Sequence, residues 1–177
     1  MGNANTSYRA KKAANLTNPT SAATFLQSDD STKAAAVYFP VLPQSAAPAR
    51  MSFRFHASGR ALNSASHNVT PKVSYGVSTT AGSNTIIAAA TARAVSTAQA
   101  NWDIWGMLFW EASVGELSGW FSALNGITAV LDAAAVLTAT PSGVDLSQSG
   151  LGLSVEITIA TGGGDTGYLD ELSLEVL

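Results

Sequence analysis

The chain has 177 residues, 46% of them hydrophobic and only 12% charged, with a formal net charge of −3 and no cysteine. That length suits one domain with a real core plus an extension. The composition excludes disulfides and thiolate metal sites, no run nears the ~20 apolar residues of a membrane-spanning helix, and a net negative chain without a basic–aromatic cluster argues against nucleic acid as a partner.

A soluble domain usually carries about 25% charged residues. The shortage fits a surface hidden by assembly, or an uncharged Ser/Thr surface. The charges are also segregated. Residues 1–93 hold nine cations and two acids, a net of +7, and from Ala94 onward ten acids and no cation give −10. Either strands of the two halves interleave and mix the charges, or the molecule is polar and its basic part meets an acidic surface.

Residues 1–48 are rich in Asn, Thr, Ser, Ala and Pro, with Pro19, Pro40, Pro43 and Pro48 opposing regular helix. Met1 to Thr6 has no apolar core of the secretory-signal kind. The segment reads as an extended arm with one short strand near residues 36–41. Such a segment buries too little to offset its ordering entropy, about 1–2 kcal/mol per residue for the backbone, unless a surface receives it. Phe25, Leu26, Val37, Tyr38 and Phe39 are its candidate apolar contacts, and Arg9, Lys11 and Lys12 its candidate charged ones. The alternative is a passive leader.

A globular domain is expected over residues 49–177. Met51, Phe53, Phe55 and Ala57 alternate with Ser52, Arg54, His56 and Ser58, a half-buried strand. Val73, Tyr75 and Val77 give a second. Residues 84–95 mix helix-favouring alanine with β-branched residues, and strand is the reading, since everything around is β. Residues 101–125 hold all four tryptophans. With period two, Trp102, Ile104, Leu108 and Trp110 share one face, and Trp105, Met107 and Phe109 the other. A strand apolar on both faces needs cover on both. Gly115 marks a turn, and Trp120 lies on the returning strand. Asn125-Gly126 predicts a two-residue hairpin with residues 127–131 returning. Residues 132–135 read as a turn or helical turn, and residues 136–140 as a short strand stopped by Pro141. Leu151, Leu153, Val155, Ile157 and Ile159 alternate with Gly152, Ser154, Glu156 and Thr158. A glycine-rich loop follows, and Leu172, Leu174 and Val176 point inward in a last strand with Glu171, Ser173 and Glu175 outward.

The expected fold is all-β: an antiparallel β-sandwich, jelly-roll-like, of about eight strands, preceded by the extended N-terminal arm. Little here predicts chemistry. His56 falls on the polar side of its strand, and His67 has no histidine partner at ligand spacing. Gly162-Gly163-Gly164 is followed by a strand, not the helix a phosphate loop requires. Glu111, Glu116, Asp170 and Glu171 could pair for glycoside hydrolysis, and Asp165, Asp170 and Glu171 could hold a Ca²⁺. A solvated surface is the reading preferred to both, so no catalytic residue, metal or cofactor is expected. The tryptophans could stack on sugars, but alternation with aliphatics favours core or interface.

Two resemblances rest on particular residues. Gly167-Tyr-Leu-Asp-Glu-Leu-Ser-Leu-Glu175 looks like the last strand of carbohydrate-binding-module jelly rolls. From Met51 onward, the order Phe53-Arg-Phe-His-Ala-Ser-Gly59, Val73-Ser-Tyr-Gly76, Asn101-Trp102, Trp110, Gly115-Glu-Leu-Ser-Gly119, Gly150-Leu-Gly-Leu153 and Leu169-Asp-Glu-Leu172 resembles β-sandwich head-decoration (cement) and tail-associated proteins of tailed bacteriophages. That resemblance implies a virion structural protein without catalytic residues, located on the virion and assembled in the host cytoplasm. It implies the major capsid protein or another virion protein as partner, and a homo-oligomer, a trimer foremost. Trp102, Trp105, Met107, Phe109, Trp110 and Trp120 are then the interface candidates, and Arg9, Lys11, Lys12, Phe25, Leu26, Val37, Tyr38 and Phe39 the capsid-binding arm. A tail-fibre or other carbohydrate-binding module is the alternative. Neither membrane nor nucleic acid is expected as a partner.

Overall fold

A computed structural model describes residues 7–9, 16–17, 25–26, 37–41, 48–62, 67–78, 82–95, 99–125, 130–159 and 165–177. Among these, all regular structure is strand. Four short strands come first: β1 (Ser7–Arg9), β2 (Leu16–Thr17), β3 (Phe25–Leu26) and β4 (Val37–Tyr38). The body follows with β5 (Arg50–Leu62), β6 (His67–Gly76), β7 (Thr85–Ala89), β8 (Arg93–Val95), β9 (Gln99–Glu111), β10 (Glu116–Asn125), β11 (Val130–Val136), β12 (Gly152–Ile159) and β13 (Thr166–Val176).

They form two antiparallel sheets. The larger runs β1-β13-β5-β9-β10-β11, with β2 also on β13; the smaller runs β3-β12-β6-β7, with β4 also on β12 and β8 also on β6. The pair β5–β6 lies against the pair β13–β12, one strand of each in each sheet. A single ribbon is thus folded over both sheets, as in jelly rolls, while β9-β10-β11 is a plain meander. The short strands add to β12 and β13, so the described part of the arm lines the same side of both sheets.

Alternation places the core. Phe53, Phe55, Ala57 and Ala61 of β5, Ile104 and Leu108 of β9, Leu153, Val155, Ile157 and Ile159 of β12, and Leu172 and Leu174 of β13 are all buried between the sheets. Gly106 occupies an inward position of β9 without a side chain, and the Phe55 ring fills the space. A Cβ there would stand 2.7 Å from Phe55 Cε1 and 2.2 Å from the Trp120 carbonyl oxygen. At the β9–β10 turn Gly115 takes φ +59°, the left-handed conformation that glycine tolerates best. Phe39 is also core: it packs edge-on against Phe53 at 5.1 Å and against Tyr75 at 6.1 Å. Burial, with Asp145 adding to it, pushes the Tyr75 hydroxyl up to about 12.

Three readings of the sequence need correction. Asn125 is not a turn residue: it pairs with Val130 at the end of β10, and its side-chain amide donates to the Val69 and Thr91 carbonyls, 2.9 and 3.0 Å away. Residues 126–129 lie outside the described residues. Residues 132–135 belong to β11 rather than to a turn. Residues 137–140 are not a strand, because their backbone partners split between sheets: Leu137 donates to Gly119 in the larger, Thr138 to Ile87 near the smaller. The polar side of β12 is itself covered: Ser154 and Glu156 are fully buried. Pro71, unexpected inside a strand, sits where the ladder on β6 passes from β7 to β8, so its missing N–H costs little.

Candidate functional site

The outer face of the larger sheet gathers four of the six interface candidates, Trp105, Met107, Phe109 and Trp120. Register fixes its rows. One row runs Glu175, Arg54, Met107, Trp120, Val136 across five strands. The next runs Ser173, His56, Trp105, Ser122, and the one beyond it Glu171, Ser58, Asp103, Leu124. The face therefore has two halves. Over β13 and β5 it is charged. Over β9, β10 and β11 it is apolar and aromatic, with Phe109 41%, Trp120 40% and Val136 79% exposed and Trp105 and Met107 half-buried. Where the halves meet, Arg54, His56, Trp105, Met107, Trp120 and Glu175 line an open depression of about 390 Å³.

The charged half explains the segregation of charge along the chain. β5 comes from the basic half and lies between β13 and β9 of the acidic half. Arg50 pairs with Glu111 at 2.8 Å, Arg54 with Glu175, and Arg60 with Asp170 through both carboxylate oxygens at 2.9 and 3.1 Å. Arg60 also lies 4.7 Å over the Tyr168 ring. His56 Nε2 is 2.9 Å from Asp103 Oδ1, and Nδ1 is 3.9 Å from Glu171 Oε2. The Asp103 hydrogen bond holds His56 above its usual value; burial opposes, and the charges of Asp103 and Glu171 add. Interleaving mixes the charges, and pairs this exposed contribute little to stability because solvent screens them.

The remaining candidates disperse. Trp102 and Trp110 are core side chains at 2% and 5% exposure, so they leave the interface set; Trp110 Nε1 donates to the Val144 carbonyl at 3.1 Å. Phe39 leaves the arm-contact set for the core. Arg9, Phe25, Leu26, Val37 and Tyr38 are placed by backbone alone in β1, β3 and β4, and Lys11 and Lys12 lie outside the described residues. Asp165 is buried with an oxygen 2.6 Å from His67 Nδ1, while Asp170 holds Arg60, so the three acids weighed as an alternative Ca²⁺ site are differently engaged. Among the described residues no group of three or more His, Cys, Asp or Glu could hold a metal ion. Glu111 aligns with Arg50 and Glu171 with Ser58, eight residues along β5. At ~3.3 Å per residue that puts Glu111 and Glu171 about 26 Å apart, too far for a glycosidase carboxylate pair, while Glu116 stands opposite Glu111 in register and Glu111 is held by Arg50. Arg54, Leu124 and Val136 join the face only through register between strands distant in sequence, and no local signal marks them.

Comparison with protein-family models, with curated proteins and with solved structures finds no match for this chain.

Proposed function

We propose that the chain is a virion structural protein, a decoration or cement protein of the tailed-phage kind, that docks through the outer face of its larger sheet. One observation carries the reading: that face sets Trp105, Met107, Phe109, Trp120 and Val136 side by side toward solvent while its charged groups are spent on one another across β13, β5 and β9. An apolar patch of this kind with a polar border marks a contact surface. The partners are further copies of the chain, foremost in a trimer, and the major capsid protein beneath. The phage assignment itself rests on the sequence resemblance. The test is density-gradient fractionation of particles from cells making the protein. It should travel with DNA-filled heads, and sedimentation of the isolated protein should give a closed oligomer. A protein absent from particles, and monomeric at micromolar concentration, overturns the proposal.

A second reading has its own observation. Trp105 and Trp120 flank the depression, whose rim carries Arg54, His56 and Glu175, an aromatic platform with hydrogen-bonding groups as a glycan requires. Retention on immobilised host polysaccharide, lost in Trp120→Ala, would favour it over shell docking.

A further inference from the structure

The charged half of the outer face is not balanced. Arg50, Arg54 and Arg60 each hold one carboxylate. Among the described side chains of that face, Asp103, Glu116 and Glu171 remain, and His56 alone offsets them in part. His56 stands on β5 between two of them. On the β9 side its Nε2 is 2.9 Å from Asp103 Oδ1, with Trp105 opposite in register. On the β13 side its Nδ1 is 3.9 Å from Glu171 Oε2, with Ser173 opposite and Glu175 one step along the face. Along β5 the next outward group is Arg54, which Glu175 holds. Beyond β13, β1 sets Arg9 in register with Ser173.

Each ring nitrogen of His56 thus faces a carboxylate from a different strand. A neutral imidazole has one N–H; it donates to one carboxylate and turns a lone pair toward the other. The imidazolium presents an N–H to both. In the single chain the difference is small. His56, Asp103 and Glu171 keep 35%, 37% and 39% side-chain exposure, so water solvates what the ring does not. Docking changes that. His56 lines the same depression as Trp105 and Trp120, so a body seated on the tryptophans takes water from the ring and from the carboxylates beside it. Carboxylates that lose water need a counter-charge. Copies that meet through this face each bring the same surplus of acid, so the contact supplies no cation to spare. On the reading that copies of the chain meet here, we propose that His56 gates their association: the contact forms with the imidazolium set between Asp103 and Glu171, and opens when the ring loses its proton. The Asp103 hydrogen bond holds His56 of the free chain above its usual value of 6.5, with burial opposing. Docking raises it further, because the carboxylates lose the water that competes with the ring. Association is therefore strongest below the free chain's value and is lost as pH rises through the docked one. The other histidine, His67, is bound to Asp165 at the start of β6 in the smaller sheet, away from this face.

The experiment is sedimentation velocity of the full chain at pH 6 and pH 8 and constant ionic strength. The apparent dissociation constant should rise about tenfold at the higher pH, the change that follows if docking raises His56 by about one pH unit. His56→Gln keeps a donor toward Asp103 without the charge, and should associate weakly and equally at both. Glu171→Gln removes one of the two carboxylates, and should associate at pH 8 nearly as wild type does at pH 6. An oligomer equally tight at both pH values overturns the gate and leaves the docking face standing. A wild-type monomer at both, at micromolar concentration, overturns the two together. Dependence on pH retained in His56→Gln assigns the proton to another group and overturns the gate. An oligomer that survives Trp105→Ser with its pH dependence intact meets through another surface, and overturns it as well.

Discussion

The two faces of β9 carry nearly the same chemistry: Trp102, Ile104, Leu108 and Trp110 on one, Trp105, Met107 and Phe109 on the other. Their fates differ. The first four are at most 5% exposed between the sheets. The second three lie on an uncovered face, beside Trp120 and Val136, next to a belt of ion pairs. Hydrophobicity alone does not distinguish a core face from a docking face. What distinguishes them is whether the same chain supplies a second layer. The smaller sheet supplies it on one side of β9; on the other, the described residues supply no second layer, and the proposed docking surface falls there.

Mutations can break that contrast, the largest effects belonging to the inner side. A chain beginning at Ala49 removes Phe39 from its place against Phe53 and Tyr75 and uncovers the edges of β12 and β13. Loss of one core phenylalanine ring alone costs about 3–5 kcal/mol, so denaturant titration should find the truncated chain strongly destabilised. A truncated chain with an unchanged midpoint would show that Phe39 is dispensable and restore the boundary expected at residue 48. Phe55→Ala should cost a similar ~3–5 kcal/mol, since it empties the space above Gly106. Asn125→Ala removes both amide hydrogen bonds that tie β10 to the Val69 and Thr91 carbonyls, and should cost about 1–3 kcal/mol by the same measurement.

On the outer side, Trp105→Ser should change the unfolding free energy of the single chain by about 1 kcal/mol or less, as near-surface substitutions do. Its effect should appear instead in sedimentation velocity, as dissociation of the oligomer. A large loss of chain stability with assembly intact would reverse the assignment of the two faces.

The smallest effect is the one that pH reads. His56 is held above its usual value of 6.5 by Asp103, with Glu171 assisting. The folded protein therefore binds this proton more tightly than the unfolded one. The contribution is fully present below pH 6.5 and is lost as pH rises through the raised value. About a third of each side chain is solvent-exposed, which keeps the difference under about 1 kcal/mol. Urea titrations at pH 6 and pH 8 should show it in wild type, and His56→Gln should flatten it.

The sequence by itself determined the long strands β5, β9, β12 and β13 and which of their side chains share a face, though not the course of residues 132–140. Period-two patterning is a local consequence of the pleat, and it placed the inward sets of β5, β9, β12 and β13 correctly. It also marked two-sided apolarity in β9 as a demand for cover. Pairing was beyond it. Nothing local says that β5 lies between β13 and β9, and that order alone turns two oppositely charged halves into a belt of mixed ion pairs. Nothing local says that Asn125 reaches across to Val69 and Thr91 instead of turning the chain. The polar alternation of Ser154 and Glu156 is what a solvated strand face shows, yet both are fully buried, with Ser74 of β6 and the Gly82 N–H brought against the carboxylate from elsewhere in the chain. Strand identity rests on neighbours along the chain. Cover, pairing and counter-charge rest on neighbours distant in sequence, and the tertiary structure decided those.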